Sequence, residues 1–175
     1  MRGSSRRSVS GLIGALVVVL VLIASIWALS RLTDRGTSDP ATTVDFSASL
    51  EEARNAAPFD VLAPSPAPLG WRATSAEWDG VGPEVSWHLG FLTSDGDYVG
   101  LEQGNAPAAD FVPASTPATQ PADTVMVGAQ RWQSLVSDDG GEHALVRQGT
   151  GVTTVVTGTA PVSDLLAFAA SLRPS

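Results

Sequence analysis

The stretch from Gly11 to Ser30, GLIGALVVVLVLIASIWALS, constrains this chain more than any other feature, because it contains no charged residue. A helix rises about 1.5 Å per residue, so roughly 20 residues cover the ~30 Å hydrocarbon core of a bilayer. In lipid the backbone must satisfy its own hydrogen bonds, and a helix does so within one segment. The sequence therefore predicts one transmembrane helix over residues 11–30, with the membrane as a partner.

The charges on either side of this helix predict its orientation. Three Arg residues and the terminal amine precede it, whereas Arg31 and Arg35 follow it together with two acidic residues. Lys and Arg close to a transmembrane helix favour the cytoplasmic side. We therefore expect a cytoplasmic tail over residues 1–10 and a single-pass protein of the cell membrane whose main domain is extracytoplasmic.

A cleaved signal peptide is the alternative explanation of the same run. Ala28, Leu29 and Ser30 place small residues at the spacing that a signal peptidase needs. However, the run is longer than the usual h-region of about 7–15 residues, and Arg31 would follow the cut. An uncleaved anchor is favoured, and in either case most of the chain lies outside the cytoplasm.

Charge is divided unevenly along the chain, whose formal net charge is −8 at pH 7. Five Arg and one acidic residue precede Gly36, which gives +4, while five Arg and 17 acidic residues follow, which gives −12. An acidic outer domain repels nucleic acid and anionic lipid headgroups, so neither is expected as a partner. The absence of Cys excludes disulfides and thiolate metal sites, and the absence of Lys excludes a Walker phosphate loop.

The remaining residues are numerous enough for one domain with its own core. We expect this domain over residues 46–175, after a linker over residues 31–45. Helices are predicted over residues 47–57, 107–112 and 161–172, a proline-rich loop over 63–70, and strands over 59–62, 71–78, 85–91, 98–103, 124–127, 131–136, 144–148 and 152–157. The predicted fold class is α+β: one transmembrane helix, then a mainly antiparallel β-sheet domain with two or three covering helices.

Particular residues mark the ends of these elements. Ser49 and Glu52 fit a capping box at the start of the first helix. Pro113 is expected to end the second helix, because the residue before a proline avoids the α region. The Pro/Thr/Ala composition of residues 113–122 predicts a mobile surface loop.

Two segments of the domain resemble each other and suggest an internal repeat. Residues 104–112, GNAPAADFV, and residues 158–166, GTAPVSDLL, share Gly, Ala, Pro and Asp at corresponding positions. The same offset places Trp78 on Trp132 without a gap. One hypothesis is a duplicated βββα unit, arranged about a pseudo-twofold axis. The alternative is that Gly-x-Ala-Pro simply marks the passage from a strand to a helix in an Ala/Gly/Pro-rich chain.

The residues that could carry chemistry are few. His88 and His143 are the only histidines, and beside a carboxylate either could bind a metal or act as a base. A solvated or structural role is favoured, since His88 lies opposite the apolar face of its strand and the motifs H-E-x-x-H, G-x-S-x-G and G-x-G-x-x-G are absent. Asp95, Asp97 and residues 138–142 offer oxygens to Ca²⁺, but without EF-hand spacing Asp-Gly indicates a hairpin turn. We therefore predict no catalytic, cofactor-binding or metal-ligating residue, no cofactor, and no enzyme.

Four tryptophans lie in the predicted outer domain: Trp71, Trp78, Trp87 and Trp132. Exposed aromatic side chains could bind carbohydrate or lipid. A role in the core is favoured for most of them, because one buried Trp removes about 150–250 Å² from water.

Several segments together resemble a known family. They are PFDVLAP, GWRATSAEW, WHLGFLTSDGDYVGLEQG and GTAPVSDLLAFAASL. They are similar to actinobacterial single-pass membrane proteins classed only as a domain of unknown function, and the likeness runs from the anchor to Leu172. The layout also resembles the extracytoplasmic domain of membrane-bound anti-sigma regulators, although only about ten residues precede the anchor here, so a regulatory role is not implied. Neither resemblance implies a catalytic residue.

Three functions are compatible with these observations. The first is a non-catalytic cell-envelope protein whose outer domain binds another envelope protein or a cell-wall component. The second is a carrier or sensor of a small hydrophobic ligand, a lipid or cell-wall fragment, held between sheet and helix. The third is an extracytoplasmic hydrolase, which needs a cleft that joins His88 or His143 to an acid. The first is favoured, because the chain has a predicted anchor and lacks catalytic signatures.

Overall fold

The computed structural model describes residues 43–174, which form three helices and nine strands. The elements are α1 (Ser47–Ala56), β1 (Leu62–Pro64), β2 (Arg72–Asp79), β3 (Ser86–Leu92), β4 (Tyr98–Gly104), α2 (Ala108–Ser115), β5 (Gln120–Val127), β6 (Gln130–Val136), β7 (His143–Gly149), β8 (Val152–Gly158), α3 (Val162–Ser171) and β9 (Leu172–Pro174). Within this part of the chain, no helix is long and apolar enough to cross a membrane. The predicted transmembrane helix over residues 11–30 lies outside the described residues.

Seven of these strands form one antiparallel sheet in the order β2-β3-β4-β8-β7-β6-β5. Strands β1 and β9 pair separately as a short antiparallel ribbon. The predicted α+β class, with a mainly antiparallel sheet and covering helices, is confirmed.

One side of the sheet, here called the α3 face, carries the larger core. Successive side chains of a strand point to opposite faces, so Trp87, Leu89 and Phe91 of β3 all reach this face, where each is at most 1% exposed. Helices α1 and α3 and the β1–β9 ribbon complete the core with Leu50, Ala53, Leu62, Leu165, Phe168 and Ala169.

The opposite side, here called the α2 face, carries a smaller core. Phe111 and Val112 of α2 pack there against buried residues of the second half of the sheet: Leu135, Ala144, Val146 and Val155. The part of this face formed by β2, β3 and β4 lies beside that core, and its side chains include His88 and Glu102, whose side chains are 25% and 18% exposed.

The four tryptophans within residues 43–174 lie in the core or pack against it, as expected for most of them. Trp87 and Trp132 are 0% and 2% exposed. Trp71 and Trp78 are partly buried and pack against the same cluster on the α3 face.

Three predicted element ends are wrong, for local reasons. The first strand lies at residues 62–64 and not 59–62, because its partner is β9, a strand that the sequence pattern did not predict. Helix α2 continues through Pro113 to Ser115, because a proline within a helix removes only one backbone hydrogen bond. In the last turn the Ser115 hydroxyl donates to the Phe111 carbonyl at 2.8 Å. Strand β5 begins at Gln120, within the predicted loop, as an edge strand, where a proline is tolerated.

The predicted capping box is also wrong. Helix α1 begins at Ser47, two residues before Ser49, and Phe46 at its N-cap makes no side-chain capping bond. Instead, the Asp45 carboxylate accepts hydrogen bonds from the Ser47 backbone N–H at 3.0 Å and from its hydroxyl at 2.5 Å.

The predicted duplication about a twofold axis is contradicted by the placement of the helices. Strands β4 and β8 are antiparallel neighbours. A twofold axis that exchanges them is perpendicular to the sheet, so the helices that follow the two strands would lie on the same face. Helices α2 and α3 lie on opposite faces. Trp78 and Trp132 both lie on the α3 face. Trp78 is therefore on the other side of the sheet from α2, the helix of its own half. The shared Gly-x-Ala-Pro therefore marks a strand-to-helix connection that is used twice.

Candidate functional site

Two places among the described residues could act on another molecule, and the first is an apolar pocket beside α3. It has a volume of about 430 Å³ and is lined mainly by the loop between β1 and β2 and by one side of the helix. The ring of Trp71 stacks on Phe168 with centroids 5.7 Å apart and forms a rigid aromatic wall. The Ser65 backbone N–H donates to the Ser171 carbonyl at 3.0 Å and fixes the loop to the helix end.

The rim of this pocket exposes a large apolar side chain. Leu69 is 98% exposed, although the three prolines nearby limit the conformations that the loop can adopt. A Leu side chain that is left in water forgoes about 1.5–3 kcal/mol of burial free energy. The loop thus holds an uncovered leucine next to an apolar pocket.

The space between the sheet and α3 is filled by protein. Phe91 and Phe168 pack edge to face with centroids 5.5 Å apart, and both are 1% exposed. Leu89, Leu101 and Leu165 are completely buried in the same layer. A ligand chamber at the position required for a carrier between sheet and helix would have to displace these side chains.

The second place is a polar cluster on the α2 face, formed by Ser75, His88 and Glu102. Strand register places His88 beside Glu102 on the neighbouring strand β4. His88 Nδ1 lies 2.6 Å from Glu102 Oε1, and His88 Nε2 lies 2.7 Å from Ser75 Oγ. One of the two predicted candidate histidines is therefore joined to an acid.

A β-bulge positions Ser75 for this contact. The register of β2 shifts between Ala73 and Ser75, which leaves Thr74 unpaired, and such an extra residue re-aims the side chains next to it. A Cβ built on Gly90, opposite Ser75, would lie 2.4 Å from Ser75 Oγ and 3.3 Å from Thr74 Oγ1. A side chain at position 90 would therefore displace the Ser75 hydroxyl from its present position.

The electrostatic surroundings of this cluster shift two pKa values. The hydrogen bond to Glu102 raises the pKa of His88 above 6.5, with further contributions from the charges of Glu102 and Glu77, and burial opposes the shift. Burial raises the pKa of Tyr98 to about 12, and Glu102 and Glu142 contribute. The Tyr98 ring lies over Gly100, as shown by the 2.7 Å that would separate a Cβ built on Gly100 from the Tyr98 hydroxyl oxygen.

The other predicted candidates do not join this cluster. His143 begins β7, and its carbonyl accepts a hydrogen bond from the Thr157 hydroxyl. Asp139 accepts from the Ser137 hydroxyl at 2.6 Å and from the Gly141 backbone N–H at 3.0 Å, contacts that lower its pKa and are typical of a turn. Within residues 43–174, no group of three or more His, Asp or Glu residues is arranged to hold a metal ion.

Sequence reasoning missed Ser75, Glu102 and the Leu69 pocket. The hairpin register across the turn at residues 93–97 would have placed Glu102 opposite His88. No sequence signal gives the bulge that aims Ser75, and none shows that the loop at residues 66–69 meets α3, about 100 residues later in the chain.

The chain is similar to two solved structures, and no curated protein matches it. One is the crystal structure of MucB in complex with MucA(peri), at 17% identity and a TM-score of 0.38, which covers 65% of this chain and 36% of the other. The second is the Pseudomonas aeruginosa MucA/MucB complex, at 17% identity and a TM-score of 0.37, with 65% and 35% covered. The chain spans about a third of the length of these structures.

A family model matches residues 5–172, nearly the whole chain. This confirms the resemblance to a domain of unknown function. The chain belongs to the family described as "Protein of unknown function (DUF4245)".

Proposed function

We propose that this protein is a membrane-tethered, extracytoplasmic binding domain whose Leu69 pocket receives an apolar side chain of another cell-envelope protein. One observation carries the proposal: a leucine that is 98% exposed stands at the rim of an aromatic-walled apolar pocket. Exposed apolar surface beside a preformed pocket is typical of protein interaction sites. Binding is then the principal role of the domain.

The pocket is suited to a side chain in size and in shape. Its volume of about 430 Å³ lies in the range of about 300–1,000 Å³ that is usual for binding pockets. An inserted side chain would contact the Trp71–Phe168 stack and would cover Leu69 at the same time. Burial of two large apolar side chains contributes about 3–6 kcal/mol before the entropic cost of association.

The tether and the orientation are part of the same proposal. They are supported by the uncharged run over residues 11–30 and by the excess of Arg before it. The −12 charge of the residues that follow Gly36 favours a partner with a basic rim around its apolar anchor.

A photocrosslinking amino acid in place of Leu69, in the full-length protein in native membranes, tests the binding site. We expect one reproducible envelope protein to be crosslinked at this position. Val81 is 87% exposed on another loop, and the same substitution there is the matched control, for which no such product is expected.

Substitutions on α3 link the crosslink to the pocket itself. Ala167 lines the pocket, so Ala167→Trp fills it and should abolish the product. Ala170 is also exposed on α3 but does not line the pocket, so Ala170→Trp should retain the product. Equal crosslinking at positions 69 and 81 would contradict the proposal, and a lipid or wall fragment in the product would instead favour the small hydrophobic ligand.

A further inference from the structure

The polar cluster on the α2 face carries a chemistry that is separate from the Leu69 pocket. We propose that Ser75, His88 and Glu102 form a nucleophilic serine site that hydrolyses neutral carboxylic esters with a short acyl group. The three side chains come from adjacent strands of the rigid sheet, β2, β3 and β4, so each is held by backbone pairing on a firm support.

The distances assign a role to each side chain. Glu102 Oε1 lies 2.6 Å from His88 Nδ1, and an ionised carboxylate only accepts hydrogen bonds, so the ring proton is held on Nδ1. His88 Nε2, 2.7 Å from Ser75 Oγ, then accepts the hydroxyl proton. These are the nucleophile, base and orienting acid of a Ser-His-acid triad, which is recognised by geometry and not by sequence position.

Neighbouring groups complete the site around Ser75. The bulge places the Thr74 hydroxyl beside the same point above Gly90 as the Ser75 hydroxyl, where it can donate to the oxygen that becomes negative during acyl transfer. The Tyr98 ring bounds this space, since its Cε2 lies 3.2 Å from the Cβ position of Gly90. We infer from this position of the ring that the site accepts a short acyl group.

The reaction needs no component besides the ester and water. Ser75 Oγ attacks the acyl carbon while its proton moves to His88 Nε2, and the tetrahedral intermediate expels the alcohol, which takes that proton. Water then attacks the acyl-serine with His88 as base, the carboxylic acid leaves, and the Ser75 hydroxyl is restored.

The surrounding charges select the class of substrate. The negative charges of Glu102 and Glu77 raise the pKa of His88, and those of Glu102 and Glu142 raise the pKa of Tyr98. A negative field of this kind repels carboxylate and phosphate substrates. Neutral esters are the class that fits.

Labelling with a fluorophosphonate, which reacts with activated serine hydroxyls, tests the nucleophile in the full-length protein. Ser75 Oγ displaces fluoride, the serine proton is taken up by His88, and the peptide that contains Ser75 gains the mass of the phosphonyl group. Ser75→Ala should lose the label, whereas Ser163→Ala, an exposed serine on α3, should keep it.

Turnover of p-nitrophenyl acetate tests the other roles. His88→Asn should lower kcat/KM about 10²-fold or more, and Thr74→Val about 10²-fold. Glu102→Gln should lower the rate and shift its pH profile toward lower pH, because the carboxylate is the main cause of the raised pKa of His88.

The proposal is overturned if the wild-type protein takes up no phosphonyl label, or if Ser75→Ala is labelled and turns over ester as well as the wild type does. Failure here leaves the binding proposal untouched, because Ala167→Trp alters the Leu69 pocket and not the α2 face.

Discussion

Gln103 is the buried polar residue that joins the β1–β9 ribbon to the sheet. It is 1% exposed, its Oε1 accepts from the Leu62 backbone N–H at 2.7 Å, and its Nε2 donates to the Asp60 carbonyl at 3.3 Å. The Trp87 indole N–H donates to the Leu62 carbonyl at 3.1 Å. Both backbone groups of Leu62 are thus paired with side chains of the main sheet.

Gln103→Met should therefore destabilise the domain. The substitution keeps the volume but leaves the Leu62 N–H buried without an acceptor, which costs about 1–3 kcal/mol. Denaturant unfolding should show this loss in the free energy of unfolding. Gln133→Met, at an exposed position on β6, should change it by less than about 0.5 kcal/mol, and an equal loss in both variants would contradict the role of Gln103.

His88 should make stability depend on pH. Its pKa in the folded protein is raised above 6.5 by Glu102 and Glu77, so the folded state holds the proton more tightly than the unfolded state does. The contribution is fully present below pH 6.5 and is lost as the pH rises through the folded-state pKa. The stability advantage of the wild type over His88→Gln should decline over that interval in unfolding curves measured at several pH values. An advantage that grows with pH would contradict the sign of the shift.

At the scale of elements, the junction of β8 and α3 depends on a close backbone approach. A Cβ on Gly158 would lie 2.0 Å from the Tyr98 carbonyl oxygen, which accepts hydrogen bonds from the Thr159 and Ala160 backbone N–H groups. Gly158→Ala would push β8 away from β4 and weaken these bonds.

We expect Gly158→Ala to lower the free energy of unfolding by about 1–3 kcal/mol or more, the usual cost of overpacking. Gly141→Ala is the matched control, because its Cβ would meet atoms of Asp139 at 3.4 Å or more. Thermal unfolding of the two variants decides the point, and an unchanged Tm for Gly158→Ala would show that the strands separate without cost.

The elements that could be predicted are those whose signal is local. Strand β3 is predictable because period-two alternation follows directly from burial on one face, and α3 is predictable because its apolar residues recur at helical spacing. Strands β1 and β9 carry no such pattern, since each has three residues and exists only through its pairing with the other, about 110 residues away.

The polar cluster on the α2 face likewise combines a residue that the sequence can identify with partners that it cannot. The sequence alone shows that His88 is one of two histidines and places it opposite the apolar face of a strand. Its partners depend on two kinds of long-range information: the register that sets Glu102 beside it and the bulge that brings in Ser75. The helices on opposite faces likewise follow from how β4 and β8 meet, which the Gly-x-Ala-Pro motif does not encode.

At the scale of the whole molecule, the proposed topology can be tested because the chain contains no Cys. Single cysteines can be introduced without a background of native thiols. Ser94 lies exposed in the turn between β3 and β4, and Ser5 lies in the predicted cytoplasmic tail.

A membrane-impermeant maleimide applied to intact cells should label Ser94→Cys and should label Ser5→Cys only after lysis. The expectation rests on the Arg-rich N-terminal flank, which resists transfer across the membrane. Labelling of Ser5→Cys in intact cells would reverse the orientation. A mature chain that lacks position 5 would show cleavage of the apolar run as a signal peptide, and the outer domain would then act as a released binding protein. The proposed binding at the Leu69 pocket would not depend on that outcome, because the pocket is lined by residues 66–69, Trp71 and α3, all within the outer domain.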